Sequence, residues 1–206
     1  LLKVFAKRRK APIHYLSEKN LFRGVDRKLR KTKNVIIAGG DGTFEAALNY
    51  TTLQEKSLGF FPLGAGNSFY SYFYKGKRFE YLRSRFPFRE VLLDILSLEW
   101  AGGKRETLFL SIGVDAEVAK IISRKTRHSF ADYVAAGAKV AFGEPIQYDL
   151  ECSVDGRKYH WNNCINLILG KVPYIGYGIR SLLGTGREDD GTILGMACVN
   201  THSPVF

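Results

Sequence analysis

Two glycine-rich segments carry the residues best suited to phosphate chemistry. They are residues 39–43 (GGDGT) and residues 62–67 (PLGAGN). Glycines let the backbone approach an oxyanion closely, and N–H groups at the start of a helix point toward negative charge. The segments therefore predict a phosphate site built mainly from the backbone and from one hydroxyl group. The expected binding residues are Gly39, Gly40, Gly42, Thr43, Gly64, Gly66 and Asn67.

Asp41 is the charged residue of the first segment, and it would repel a phosphate group placed directly against it. Its presence is chemically useful if it binds Mg²⁺ or orients an attacking hydroxyl group. The structural alternative is a tight strand-to-helix turn in which Asp41 is the N-cap of the helix. Asp41 is thus a candidate both for catalysis and for metal binding.

The elements around the two segments are those of an α/β layer. Residues 35–38 and 58–62 are continuous apolar runs, typical of buried parallel strands, and residues 43–49 have helical spacing. Each glycine-rich segment follows one of the predicted strands. Because ligands of such sheets bind at the carboxyl ends of the strands, we expect both loops to face one nucleotide.

Short β-like runs replace this alternation after about residue 88. Asp155-Gly156 between two of them predicts a tight hairpin, and residues 116–142 predict two helices separated near His128. We expect an α/β nucleotide-binding domain at residues 1–88 and an antiparallel, sandwich-like β-rich domain at residues 89–206, with the active site in the cleft between them. The β-like runs are 91–98, 107–112, 148–154, 158–162, 165–169 and 193–199.

The order GGDGT and then PLGxGN resembles the diacylglycerol kinase catalytic domain, which sphingosine and ceramide kinases share. NAD kinases and phosphofructokinases have the first segment without the second. The resemblance implies a fold of the NAD kinase/diacylglycerol kinase type, ATP and Mg²⁺ as cofactors, and a lipid hydroxyl group as the phosphate acceptor.

Smaller matches extend the resemblance. Residues 111–118 (SIGVDAEV) are similar to the family's G-F-D-A-E-V stretch, which implies that Asp115 lies near the lipid hydroxyl group. The resemblance further implies nucleotide contacts by Ser17, Arg124 and Arg127, and a structural Mg²⁺ at Asp190. Each match has a structural alternative: an N-cap for Asp115, a turn at residues 189–191, and solvated surface positions for the two arginines.

The sequence also departs from the family pattern. Ser68 stands where the family usually has aspartate, which removes a carboxylate from the expected acceptor site, and Ala65 replaces a small hydroxyl residue. The family's N-P-x-x-G turn and D-G-E segment do not occur in these 206 residues. The aspartate of D-G-E is the expected general base, so the base stays unassigned. We expect the N-terminal strand and a C-terminal part of the family domain to lie outside this sequence.

The net charge of +11 is concentrated at the start of the chain. The first 33 residues contain twelve Lys or Arg against two acidic residues, a net +10. Such a stretch suits an anionic membrane surface or a polyphosphate, and the alternative is a solvated helical face. It is not interleaved with aromatic residues, so we do not expect nucleic acid as a partner.

Three cysteines without C-x-x-C spacing indicate reduced thiols, and no apolar run approaches the ~18 residues of a membrane span. We therefore expect a cytoplasmic, peripherally membrane-associated protein; a homodimer is left open.

The predicted function is an ATP-dependent lipid kinase. The alternatives are a kinase of a soluble acceptor such as NAD, and a noncatalytic relative that binds nucleotide or lipid.

Overall fold

The computed structural model describes residues 6–7, 10–14, 26–64, 66–74, 90–125, 129–175, 179–180, 187 and 189–200. The chain divides into two compact units. Unit 1 contains Leu1–Leu108 and Tyr174–Ser181, and unit 2 contains Phe109–Pro173 and Leu182–Phe206. None of the helices in the described ranges combines the length and the apolar character needed to cross a membrane.

The helices are short, and the strands form several sheets. The helices are α1 (Asp26–Arg30), α2 (Asp41–Leu48), α3 (Ser68–Tyr74), α4 (Val114–Ser123) and α5 (Phe130–Ala141), with a 3₁₀ turn at Thr51–Leu53. The strands are β1 (Asn34–Gly39), β2 (Ser57–Pro62), β3 (Leu96–Trp100), β4 (Gly103–Thr107), β5 (Phe109–Gly113), β6 (Tyr148–Val154), β7 (Arg157–Gly170), β8 (Tyr174–Ile175), β9 (Ile179–Arg180) and β10 (Leu194–Val199).

Unit 1 is built around a parallel pair of strands. β1 and β2 pair in register from Asn34 with Ser57 to Gly39 with Pro62. Helix α2 begins within the first glycine-rich segment, at Asp41, and α3 begins directly after the second. The predicted parallel strands at residues 35–38 and 58–62 and the helix at 43–49 are confirmed, each lengthened or shifted by one or two residues.

Three aromatic rings join these elements. The Phe44 ring of α2 lies 5.4 Å from the Phe60 ring of β2 and 5.3 Å from the Phe69 ring of α3, measured between centroids. All three side chains are buried. Edge-to-face and tilted ring contacts at such distances stabilise a specific packing as well as burying apolar area. The cluster therefore sets the position of both helices relative to the strand ends.

The hairpin β3–β4 is attached to α2 by polar contacts. Asn49 accepts a hydrogen bond from the Glu106 backbone N–H at 2.8 Å and donates one to the Glu106 carbonyl at 2.7 Å. Glu45 accepts hydrogen bonds from the Thr107 hydroxyl group and from Arg105, the latter at 3.1 Å. This hairpin lies in unit 1, beyond the residue at which the sequence suggested a division. The functional division at residue 88 stays a prediction, as does the cleft.

Unit 2 is organised by the 14-residue strand β7. Its first part pairs with β6, and its second part pairs with β5 on one side and β10 on the other, all antiparallel. The predicted runs at 158–162 and 165–169 are thus one continuous strand. Among the described residues of this unit the strands form a single sheet, so the antiparallel β-rich character is observed directly.

Turn and helix predictions in unit 2 also hold. Asp155 and Gly156 have φ angles of 51° and 78°, as a tight hairpin turn requires, and they connect β6 to β7. The helical region forms two helices, α4 and α5. Ser129 begins α5 with a reciprocal capping box, in which its side chain and backbone exchange hydrogen bonds with Asp132.

Candidate functional site

The two glycine-rich loops touch each other through their backbones. The N–H groups of Leu63 and Gly64 donate to the Gly39 carbonyl at 2.8 and 3.3 Å. A Cβ atom on Gly64 would lie 2.4 Å from the Gly40 Cα, closer than any real contact permits. Glycine is therefore required at residue 64, and the loops form one continuous backbone surface at the carboxyl ends of β1 and β2.

Asn67 holds the second loop in its turn. Its side-chain oxygen accepts a hydrogen bond from the Gly64 N–H at 3.0 Å, and its amide group donates back to the Gly64 carbonyl. Asn67 itself has a φ angle of 51°, in the left-handed region that asparagine tolerates better than most residues. Asn67 is buried, so its observed role is to shape the loop that would carry the nucleotide.

The start of α2 is open to a ligand. Its N-cap is Gly40, which provides no side-chain cap, and the Gly40 carbonyl accepts the N–H groups of Thr43 and Phe44. Apart from its chain neighbours and the backbone of α2, no atom of the described residues would lie within 4 Å of a Cβ atom placed on Gly42. An uncapped helix start next to open space has the geometry and the partial positive charge that bind phosphate.

Asp41 does not cap its own helix. Its carboxylate instead accepts hydrogen bonds from the backbone N–H groups of Ser68 at 3.0 Å and Phe69 at 3.3 Å, at the start of α3. Asp41 thereby links the first loop to the helix that follows the second. Burial raises the pKa of the Asp41 carboxyl above its ordinary value, and the backbone hydrogen bonds partly oppose that rise.

Ser68 occupies the position that the resemblance reserves for aspartate. Its side chain is buried and close enough to Asp41 to lower the pKa of that carboxyl, and its hydroxyl oxygen has no hydrogen bond of good geometry to any of the described residues. A second carboxylate this close to Asp41 in a buried site would repel it. The serine leaves Asp41 as the carboxylate that faces the start of α3.

The fit of Mg²⁺ to Asp41 depends on the nucleotide. No group of three or more His, Cys, Asp or Glu side chains that could hold a metal is found in the part of the chain that the structure describes. Mg²⁺ in kinases is commonly bound by one or two carboxylates together with substrate phosphates. Asp41 fits as one such ligand, provided that nucleotide phosphates complete the coordination.

Asp115 is fixed to the central strand of unit 2. Its N–H donates to the Asn166 side-chain oxygen at 3.2 Å, and the Asn166 amide group donates to the Asp115 carboxylate at 2.9 Å. The N-cap of α4 is Gly113, with a φ angle of 105°, so Asp115 is not the N-cap. Sequence reasoning missed Asn166; its signal was a polar residue within the apolar run of residues 165–169.

Asp190, the predicted ligand of a structural Mg²⁺, forms an ion pair with Lys171. The Lys171 ammonium group lies 2.7 Å from one carboxylate oxygen, and that lysine side chain is only 2% exposed. The same carboxylate also accepts hydrogen bonds from Thr192 and from the Arg187 backbone. The Lys171 contact is the largest cause of a pKa of Asp190 far below its usual range. The Asp190 carboxylate is thus satisfied by protein donors, an arrangement that does not fit a structural Mg²⁺.

The remaining predicted residues are less constrained. Arg124 is exposed just beyond the last turn of α4, and Gly66 is half-buried in the second loop. Ser17 and Arg127 lie outside the described residues. The structure thus brings together the two glycine loops and Asp41 in unit 1, and it places Asp115 and Asp190 in unit 2.

Comparison with known proteins agrees with this geometry. Residues 8–85 match the family model of the diacylglycerol kinase catalytic domain. That range contains both glycine loops and Asp41, so the resemblance inferred from the sequence is confirmed. No curated protein matches the chain.

Solved structures with the diacylglycerol kinase fold cover most of the chain. A protein from Bacillus anthracis str. Sterne described as a diacylglycerol kinase matches with a TM-score of 0.61 and 18% identity over 93% of this chain. A protein from the same organism, provisionally described as a diacylglycerol kinase, matches with a TM-score of 0.65 and 18% identity, covering 97% of this chain and 71% of that one. The chain spans 62% of the length of the first. The predicted fold class is confirmed.

Proposed function

We propose that the protein is an ATP-dependent lipid kinase that transfers the γ-phosphoryl group of ATP to a lipid hydroxyl group. The observation that carries this proposal is the backbone contact between the two glycine loops, with Asp41 alongside and open space at Gly42. The diacylglycerol kinase family match supports the kinase class. The lipid acceptor and the use of ATP are the finer parts of the proposal.

The loops would hold the nucleotide through backbone N–H groups. Residues 39–43 and 64–67 supply a surface without long side chains, and the Thr43 hydroxyl group adds a donor. Arg124, Arg127 and Ser17 are further candidates for nucleotide contacts. Mg²⁺ bound with ATP would neutralise charge on the phosphates, with Asp41 as a protein ligand. Phosphoryl transfer depends mainly on positioning and charge neutralisation, which such a surface can provide.

In the transfer step the lipid hydroxyl oxygen forms a bond to the γ-phosphorus while the bond from that phosphorus to the ADP oxygen breaks. The hydroxyl proton must pass to a base. The resemblance gives that role to the aspartate of the family's D-G-E segment, and we assign Asp41 to orient the hydroxyl group or to bind Mg²⁺. Asp115, held by Asn166, would orient the lipid head group.

Two other functions are alternatives to the lipid kinase. A kinase of a soluble acceptor such as NAD is disfavoured by the second glycine loop, which the resemblance ties to lipid kinases. A noncatalytic relative that binds nucleotide or lipid is suggested by Ser68 in place of an acidic residue. Membrane association at an anionic surface would bring the enzyme to its acceptor, as the basic first 33 residues favour.

The decisive experiment incubates the full-length protein with labelled ATP and Mg²⁺. The acceptors are vesicles containing diacylglycerol, sphingosine, ceramide or monoacylglycerol, and NAD in a separate reaction. We expect label in one of the lipids. Label in NAD alone would refute the lipid acceptor, and ATP binding without transfer to any acceptor would favour the noncatalytic relative.

A further inference from the structure

Helix α5 presents an apolar face to solvent. Three large side chains at its start, in its middle and at its C-cap are 52%, 56% and 91% exposed, respectively Phe130, Val134 and Phe142. Lys139 is the one exposed residue of this fully described helix that is not apolar. The smaller exposed residues between the large ones are Ala131, Ala135, Ala138 and Ala141.

These residues form one continuous strip. At about 100° of rotation per residue, positions 130, 134, 138 and 141 fall on the same side of the helix, opposite the buried Ala136. A surface helix normally turns its polar residues to water and its apolar residues to the core. An exposed apolar patch of this kind marks an interaction surface.

We infer that the α5 face, defined as Phe130, Val134 and Phe142 with the alanines between them, docks on the surface of an anionic lipid bilayer. Charge around the helix favours this partner. Residues 124–142 contain four Lys or Arg against one Asp, a net +3. Lys125 pairs with Asp132 at 2.5 Å, which leaves the exposed Lys139 of α5 to meet anionic headgroups.

The dimensions of α5 suit a shallow position in the interface. The helix has 12 residues, or roughly 18 Å at 1.5 Å per residue, which is too short to cross a bilayer. Phenylalanines at its two ends can enter the boundary between headgroups and acyl chains while the basic residues stay with the headgroups. The choice of a bilayer over a protein partner rests partly on the proposed lipid acceptor.

The test measures vesicle binding without ATP, so that it does not depend on turnover. The full-length protein is sedimented with vesicles of phosphatidylcholine alone and of phosphatidylcholine with phosphatidylserine. The test variant is Phe130→Gln/Val134→Gln/Phe142→Gln, which keeps every charge. The control is Val154→Gln, which changes a side chain that is 51% exposed on β6, away from α5. Because all of these side chains are largely exposed, we expect both variants to fold.

We expect the triple variant to bind phosphatidylserine-containing vesicles about tenfold or more weakly than the wild type, and Val154→Gln to bind like the wild type. Equal binding by the triple variant would overturn the inference. Loss of a dimer in solution, without any loss of vesicle binding, would make the face an interface between copies instead. If the wild type binds vesicles through this face but transfers no phosphate, the docking surface stands and the proposed function falls.

Discussion

At Gly42, a substitution should affect ATP binding and protein stability in opposite directions. Because a methyl group at this position has open space around it in the part of the chain that the structure describes, Gly42→Ala should fold normally. Alanine in place of glycine in a helix should raise the stability by up to about 1 kcal/mol. If the start of α2 holds a phosphate of ATP as proposed, the same methyl group would narrow that space, so we expect ATP affinity to fall about tenfold or more. Thermal unfolding and ATP titration measure the two effects.

Gly64→Ala is the matched control, since its methyl group would collide with the Gly40 Cα. This variant should lose both stability and ATP binding, because the loops must separate. Undiminished ATP affinity in Gly42→Ala, with the expected gain in stability, would remove the start of α2 from the nucleotide site. The pair therefore distinguishes a phosphate-binding loop from a glycine-rich turn that serves only the fold.

The Asp41 carboxyl group leads to predictions about the pH dependence of stability and about activity. Since burial raises its pKa in the folded state, the folded protein binds this proton more tightly than the unfolded chain does. The wild type should therefore gain stability relative to Asp41→Asn as the pH falls through the raised folded-state pKa toward the ordinary aspartate value, and lose that gain as the pH rises through the folded-state pKa. Denaturant unfolding of both proteins across this range measures the difference.

Phosphate transfer by Asp41→Asn should fall by about a hundredfold or more if Asp41 orients the hydroxyl group. ATP binding in the presence of Mg²⁺ should be measured alongside, because loss of a metal ligand weakens this binding and loss of a residue that orients the hydroxyl group does not. Retained ATP·Mg²⁺ binding with lost transfer would favour the role at the hydroxyl group. Transfer at the wild-type rate would take Asp41 out of the mechanism.

At the level of single residues, the sequence predicts roles for Asp41 and the glycines because their types and order are rare. It does not predict how Asp41 is used by the fold. The carboxylate accepts hydrogen bonds from the backbone N–H groups of Ser68 and Phe69. These residues are distant from Asp41 in sequence and are brought near it by the parallel pairing of β1 and β2. Contacts of this kind depend on tertiary packing, which residue type and local spacing do not specify.

The ion pair between Lys171 and Asp190, in the segment between β7 and β10, allows a test of whether this segment binds a metal. Asp190→Asn removes the carboxylate from the buried Lys171 ammonium group, and a buried charge without its partner is strongly destabilising. We expect the melting temperature of this variant to fall by several degrees, whereas EDTA should leave that of the wild type unchanged. Thermal unfolding with and without EDTA and Mg²⁺ measures both.

A melting temperature that drops with EDTA in the wild type but not in Asp190→Asn would show that a divalent metal binds at Asp190 after all. The ion pair also determines how the stability of the folded protein changes as the pH falls. Since the pKa of Asp190 is lowered in the folded state, its contribution to stability is present above the ordinary aspartate pKa and is lost as the pH falls toward the folded-state value.

Elements with a strong local signal were predicted well from the sequence. The Asp155-Gly156 turn requires positive φ angles that few residue pairs adopt, and the apolar runs before the glycine loops have the composition of buried strands. The sequence was less informative about β7, because polar residues at 162 and 163 suggested an interruption. In the structure the strand continues past them with a shift in its pairing register with β6, at which neither residue has a direct partner in that strand.

The whole molecule has a boundary that the sequence did not reveal. The hairpin β3–β4 looks like the β-rich part of the chain, yet its contacts with Glu45 and Asn49 of unit 1 place it with the α/β layer. Composition changes near residue 88, but the division into compact units follows long-range contacts. The compact units and the predicted functional division at residue 88 are thus two different descriptions of the chain, and the second stays a prediction.

The basic start of the chain leads to a prediction for the whole molecule at a membrane. Lys31 and Lys33 are exposed near the end of this stretch, and each lysine near an anionic surface contributes about 1 kcal/mol to binding. Lys31→Gln/Lys33→Gln should therefore bind phosphatidylserine-containing vesicles about tenfold or more weakly at low salt. Because salt screens such attraction, the difference from the wild type should shrink as salt is added.

Arg157→Gln/Lys158→Gln is the control of equal charge, since both residues are exposed on β7 in unit 2. If the first 33 residues face the membrane, this control should lose much less affinity than the Lys31 and Lys33 variant. Equal losses would mean that net charge alone, rather than its placement, draws the protein to lipid. A vesicle-binding defect confined to the first variant, with unchanged phosphate transfer to a short-chain lipid in solution, would assign the basic stretch to docking and leave the glycine loops with the chemistry.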